Sequence, residues 1–349
     1  MARIFEQASV TISASSARSI HEGFLKPRLP QAVSRLKLPY QKENGTPGSI
    51  FLEKQRQYNP EQEPISLRAW TLQEHMLSPR ILDYSTEQLW WLCSDAVLYD
   101  NGKGIPIKAD LGDTRSLKTN WGSLEGWRIA VRDYTKRFLT FPGDKLPAIS
   151  GIAAQYGRTF GGAYLAGLWE WNLPSELLWS TTRSDISRPA RQRAPSWSWA
   201  SVDGEINHNW CDINGGGITI IECRISPVSP HFPYGSVDPL LCSLKVRGDT
   251  KRFFWSEDKR FLCEAGETGS DYVGRTQGDA DEFLPRCDDA LDFGKRKHYS
   301  VWALIITYNP TRGLILTQIG EDTFRRAGVF FRLWDHGLIG FQERTITLL

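Results

Sequence analysis

Trp70 and Glu74 stand four residues apart in the stretch of this sequence whose residue types best suggest a carboxylate with a task. On a helix turning about 100° per residue, Leu67, Trp70, Thr71, Glu74 and Leu77 fall in one sector with the carboxylate central. If that sector faces inward, Glu74 must be hydrogen-bonded, paired or neutral, because an isolated buried charge is prohibitively costly. In the structural version, an arginine or the backbone N–H groups of a crossing loop bind it. In the functional version, it lies at the floor of a pocket, where a carboxylate stabilises developing positive charge. His75 sits toward the edge of the sector and reads as a structural or exposed histidine rather than a base.

Other chemistry is less well supported. Gly102-Lys103-Gly104 and Gly215-Gly216-Gly217 lack the strand-to-helix setting of a phosphate loop and read as turns. The acidic cluster Asp281, Glu282, Asp288, Asp289 and Asp292 lacks the alternating spacing and turn glycine of a calcium loop. With Lys295-Arg296-Lys297 beside it, the cluster reads as a solvated charged loop. Ser196-Trp197-Ser198 has no flanking glycines and is no nucleophile elbow. The six cysteines form no CxxC pair and have no histidine at ligand spacing, so the expectation is reduced, buried thiols and no metal.

The elements that must position these residues follow from periodicity. Residues 1–14 read as the tail of a helix entering a strand, Ser9–Ser13, and 26–64 as a long exposed loop. A short helix over 67–77 is stopped by Ser78-Pro79. Strands 80–84 and 88–93 follow, joined at Ser85-Thr86. After a loop over 101–120, a helix is predicted over 121–139 with Trp127, Val131, Tyr134 and Phe138 on one face. Another begins near Asp144, with Leu146, Ile149, Ala153 and Tyr156 aligned. Short strands are expected at 197–202, 218–225, 240–247, 301–308, 313–319 and 324–333, with a mobile insertion over 256–298. The resulting class is mixed α+β. Its parts are a first α/β unit (1–95), a helical region (96–195) and a mostly β region (196–349).

Composition excludes several function classes. The 42 basic and 40 acidic residues leave a net charge of +2, too balanced for a nucleic-acid or anionic-membrane partner. The apolar run Val301–Ile306 is far short of the ~20 residues of a spanning helix and reads as a buried strand. The first residues carry no signal-peptide pattern, so the expected location is cytoplasmic. Fourteen tryptophans against two methionines point to a core built on large rings. A base-stacking platform would need a basic groove beside them.

Several segments resemble one family. Arg68-Ala69-Trp70-Thr71-Leu72-Gln73-Glu74, continuing through Leu77, Ser78 and Arg80 to Tyr84, is similar to the R-x-W-T-x-Q-E-x-x-L-S-x-R motif that closes the fungal heterokaryon incompatibility (HET) domain. Ile4-Phe5-Glu6-Gln7-Ala8 with Thr11-Ile12-Ser13-Ala14 resembles that family's I-Y-x-x-A…T-I-x-A segment. Tyr134-Thr135 with Asp144–Gly151, Gly167-Leu168-Trp169, and Pro195–Ser201 resemble the region downstream of the domain. The family's opening L-S-Y-x-W and W-I-D-x-L-C-I-x-Q segments have no counterpart. The resemblance therefore implies a HET domain lacking its first half, with Met1 falling at an internal helix.

The resemblance implies non-self recognition and programmed cell death signalling through protein partners or self-association, without a cofactor. HET domains are thought to resemble TIR domains, whose enzymatic members cleave NAD with a glutamate in a W-C-x-x-E helix. Trp70 and Glu74 have that spacing, with Thr71 at the cysteine position. By this analogy Glu74 is the catalytic candidate of a NAD glycohydrolase, with NAD as substrate, and the shortened chain is expected to be inactive.

Overall fold

The computed structural model describes residues 2–25, 36–52, 60–86, 88–99, 104–106, 121–181, 188–208, 216–256, 261–263, 272–278, 298–333 and 335–349. It is a mixed α+β structure that divides into two compact units, Arg3–Leu111 and Gly112–Leu349 with the first two residues.

In the first unit, α1 (Ala2–Gln7) leads into β1 (Thr11–Ser13), as the helix-to-strand pattern predicts. The stretch expected as a loop contains a hairpin, β2 (Leu36–Gln41) and β3 (Pro47–Leu52). Its turn carries Gly45 at φ +77°, with the Thr46 N–H donating to Asn44 Oδ1 at 3.2 Å. The prolines and lysines masked its period of two, and β2 is exposed on both faces. Residues 26–35 and 53–59 of that expected loop lie outside the described residues.

The helix α2 (Ala69–Leu77) is followed by β4 (Arg80–Tyr84), β5 (Leu89–Cys93), β6 (Ala96–Tyr99) and β7 (Gly104–Pro106). One sheet runs β1-β4-β5-β6-β7, parallel at β1–β4 and antiparallel elsewhere. Alternation along β4 and β5 turns Ile81, Trp90 and Leu92 onto one core with Val97. Apart from β7, the expected loop over 101–120 lies outside the described residues.

The second unit opens with α3 (Leu124–Thr135), capped by Ser123, whose Oγ accepts from the Gly126 N–H at 2.9 Å. Trp127, Val131 and Tyr134 are buried as predicted. Phe138 is not, being 74% exposed because the helix ends at Thr135. The next helix, α4 (Ser150–Phe160), starts later than expected, after 3-10 turns at Pro142–Asp144 and Pro147–Ile149. Each turn begins on a proline, which lacks the N–H an earlier α-helical ladder would need. Leu146, Ile149, Ala153 and Tyr156 are nonetheless all buried.

The hairpin β8 (Tyr164–Leu165) and β9 (Leu168–Trp169), the short helix α5 (Leu173–Glu176), and the pair β10 (Ser180–Thr181) and β11 (Ile206–Asn207) complete this layer. The strand expected at 197–202 is instead a 3-10 turn at Trp199–Ser201, with Ser198 Oγ accepting from the Ala200 N–H. Local capping by serine wins over the β pattern here.

The segments singled out downstream converge on this turn. Trp199 Nε1 donates to Gly167 O at 2.9 Å and Ser198 Oγ to Ala166 O at 2.5 Å. Gly167 has φ +107°, and a Cβ there would lie 2.6 Å from Trp199 Nε1, so both the conformation and the close approach require glycine. The Tyr134 ring meets Trp199 edge-on at 6.2 Å, while its hydroxyl donates to Lys145 O at 2.6 Å.

The remainder is a β structure of β12 (Ile218–Arg224), β13 (Ser243–Ser256), β14 (Phe261–Cys263), β15 (Tyr272–Gly278), β16 (His298–Tyr308), β17 (Thr311–Gln318), β18 (Thr323–Leu333) and β19 (Gln342–Leu348). The path β13-β14-β15-β18-β17-β16 returns to β13 and closes a barrel, with β12 and β19 flanking the first half of β13. Phe253, Trp255, Leu262, Val301, Ala303, Ile305, Ile315 and Phe330 fill it. Two barrel strands, β14 and β15, thus fall inside the expected insertion over 256–298, whose end residues belong to β13 and β16, and the remainder lies outside the described residues. The run Val301–Ile306 is the buried strand the sequence predicts. Among the described residues, Cys93, Cys223, Cys242 and Cys263 are free thiols.

Closure leaves no room at Gly313 of β17, where a Cβ would stand 2.0 Å from Leu304 O and 2.6 Å from the Phe330 ring. Gly313→Ala is expected to cost ~1–3 kcal/mol by forcing strands apart. Chemical denaturation followed by tryptophan fluorescence measures it, and an unchanged midpoint would contradict this packing.

Candidate functional site

The motif residues lie on α2 and the start of β4, and most of them build local structure. A 3-10 turn, Pro64–Leu67, feeds α2. Thr71 Oγ1 lies 2.7 Å from both Ile65 O and Arg68 O, which ties that turn to the helix start. At the other end Ser78 Oγ donates to Glu74 O at 2.6 Å, and Pro79 prevents continuation. Ser78 Oγ also lies 2.7 Å from Thr11 Oγ1, and Arg80 Nη1 donates to Ser9 O at 3.4 Å. With the register Thr11↔Ile81, Ile12↔Leu82 and Ser13↔Asp83, these contacts join the two resembling segments, 4–14 and 68–84, into one piece.

The buried stripe of α2 is not the predicted one. Ala69, Leu72, Gln73 and Met76 form it, with Thr71 and Leu77 at its sides, while Leu67 is exposed and Trp70 and Glu74 are half-buried. Glu74 therefore lies at the edge of the core rather than inside it. Its carboxylate accepts no hydrogen bond among the described residues, so the bound form expected from the sequence is not found. Burial raises its proton affinity above the ordinary carboxylate value, and the neighbouring Arg68 guanidinium partly opposes this. His75 is half-buried on the same helix.

Sequence reasoning passed over a second polar centre. Asp83 is fully buried and accepts a short hydrogen bond from Ser15 Oγ, which is 2.7 Å from Ser13 Oγ. Period-two alternation from Ile81 along β4 places Asp83 on the core face and would have flagged it. Nearby, the buried Glu63 carboxylate accepts from the Thr86 N–H at 3.0 and 3.1 Å and from Thr86 Oγ1 at 2.9 Å. That interaction fixes the β4–β5 turn. Among the described residues no cluster of three or more His, Cys, Asp or Glu could hold a metal ion, and no helix is long and apolar enough to cross a membrane.

The first unit is thus a small α/β unit in which a strand-start segment and a helix–strand motif secure each other. The family model for heterokaryon incompatibility protein (HET) matches residues 1–74. It spans α1, β1, the β2–β3 hairpin and α2 as far as Glu74, and it supports membership of the heterokaryon incompatibility family. No curated protein and no solved structure matches the chain.

Because Glu74 holds its proton more tightly folded than unfolded, the unfolded chain ionises first as pH rises. The carboxyl therefore costs the native state stability above its ordinary value of 4.5, and that cost is relieved as pH falls through the raised folded value. Glu74→Gln is expected to be at least as stable as wild type at pH 7, with the difference shrinking toward pH 4. A loss of ~1–3 kcal/mol at pH 7 would instead reveal a charged hydrogen bond to Glu74.

Proposed function

We propose that this chain acts in fungal heterokaryon incompatibility, in non-self recognition and programmed cell death signalling, through protein association in the cytoplasm. The observation that supports association is the edge of the first unit's sheet. Strand β1 pairs only with β4 among the described residues, and its free side carries Thr11-Ile12-Ser13 with Ile12 62% exposed and Val10 42% exposed. Unpaired N–H and C=O groups beside exposed apolar side chains form a template for an added strand. A second copy of this chain satisfies the same groups, so self-association is the simplest form of the reading.

Ile12→Lys places a charge on that edge. The wild-type chain is expected to show a concentration-dependent rise in mass by light scattering, and Ile12→Lys to stay monomeric with an unchanged circular dichroism spectrum. In fungal cells the same substitution should abolish killing. A monomeric wild type, or an Ile12→Lys variant that kills equally well, would overturn the association reading.

A second reading rests on Glu74, a half-buried carboxylate without a hydrogen-bonded partner among the described residues, one helical turn from Trp70 and near Arg68. In it Glu74 faces the ribose of NAD as the bond from C1′ to the nicotinamide nitrogen breaks. The bonding electrons leave with nicotinamide, the carboxylate stabilises the oxocarbenium-like centre, and water adds at C1′ to give ADP-ribose and a proton. Glu74→Gln should then lower NAD cleavage, read by chromatography of nicotinamide, about 100-fold or more with a Tm no lower than wild type. Absent cleavage by wild type, or equal cleavage by the variant, removes the enzymatic reading.

A further inference from the structure

We infer that the cavity between residues 188–201 and strands β17 and β18 binds a compact phosphate-type oxyanion, free phosphate or a small phosphate monoester. The cavity has a volume of about 200 Å³. Its polar lining is Arg188, Gln192, Ser196, Ser201, Thr317, Arg325 and Arg326, the remaining wall is alanine and proline, and no acidic side chain lines it among the described residues. The Arg326 guanidinium is taken up by Leu177 O and Trp179 O, which leaves those of Arg188 and Arg325.

The two guanidinium groups have different tasks. Arg188 is fixed in place: Nη1 donates to Ser201 Oγ at 3.0 Å and Nη2 to Arg326 O at 2.9 Å. Arg325 is not fixed in this way. Its Nε is buried without a hydrogen-bond partner, and its guanidinium makes no ion pair among the described residues. The hydroxyls compete little for a ligand's oxygens, since Ser201 Oγ donates to Ser196 O at 3.3 Å and Thr317 Oγ1 to Arg325 O at 3.4 Å. What the cavity offers is cationic N–H, and an arginine fork on an oxyanion is the strong form of that contact.

Charge and size narrow the ligand. Two arginines facing a wall without carboxylates favour a dianion over a monoanion. The volume is below the ~300–1,000 Å³ of pockets that enclose drug-sized ligands, so a dinucleotide is excluded and a compact anion remains. A tetrahedral phosphate accepts from several donors at once, and Arg188 and Arg325 come from separate segments of the lining. A planar carboxylate does so less well.

The test is calorimetric titration of the full chain at low ionic strength with sodium phosphate, glucose 6-phosphate, sodium acetate and sodium succinate. Saturable binding of phosphate or of the monoester near one per chain is expected, and the tighter of the two names the source. Arg325→Gln should weaken it roughly tenfold or more with an unchanged Tm, and Arg325→Lys, which keeps the charge and so guards against misfolding, should retain part of it. Arg344→Gln, which lies outside the cavity lining and pairs with Asp322, should bind as wild type. Absent phosphate heat, succinate binding as tight as phosphate, or equal weakening by Arg344→Gln would each overturn the assignment.

Discussion

The second unit depends on Arg326. Its side chain is 2% exposed in the middle of β18, stacked on the Trp179 ring with 3.4 Å from guanidinium carbon to ring centroid. Nη1 donates to Leu177 O at 2.6 Å, Nη2 donates to Trp179 O, and the backbone N–H donates to Ser196 Oγ at 3.0 Å. A desolvated guanidinium is costly unless its donors are satisfied. The chain leaving α5 and the turn at Pro195–Ser201 must therefore stay where their carbonyl and hydroxyl oxygens meet it. Trp179 Nε1, donating to Trp197 O at 2.9 Å, closes the loop. Arg326 thus ties the barrel to the tryptophan-rich layer, together with Arg188, which donates to Arg326 O, and the Ser196 N–H, which donates to Leu349 O.

That cation also shapes the electrostatics around it. His208 is buried with both ring nitrogens lacking hydrogen bonds, and its pKa is lowered to about 3, first by burial and then by Arg128, Arg326 and Arg132. It is neutral at any physiological pH. Lys145, pushed down to about 8 by burial and by Arg193 against the pull of Asp203, belongs to the same excess of interior positive charge. In this unit Arg188, Arg193 and Arg326 donate to backbone carbonyls, while Arg128 is paired with the buried Glu176.

Much of this was legible in the sequence because the patterns were local. Period two gave β4 and β5, the continuous apolar run gave β16, and helical spacing gave the buried faces of α3 and α4. What escaped was decided elsewhere. The stripe of α2 is rotated away from Trp70 and Glu74 because Gln73, a polar residue no hydropathy pattern would place inside, is buried at 2%. Strand β15 (Tyr272–Gly278) has glycine at both its third and last positions, and only the closing barrel makes it a strand. The polar centre at Asp83 needed the parallel partner β1, 70 positions away in register, to explain a carboxylate on a core face. Periodicity reports which way a side chain points, but not what distant segment will meet it.

The two units manage strand edges differently, and this bears on where association can occur. In the second unit the ring of six strands has closed, and the outlying strand β12 is blunted by a bulge between Ile220 and Glu222 and by the exposed pair Arg224–Glu222 at 2.6 Å. Bulges and edge charges are the usual devices against unwanted pairing. In the first unit one edge, β7, ends on Pro106, which has no N–H to offer a partner. The other edge, β1, has neither proline, bulge nor charge, and it is held rigidly by Ser78 and Arg80 of the motif helix and strand. The residues that resemble the family's closing motif therefore set the position of β1, the edge on which the proposed association rests.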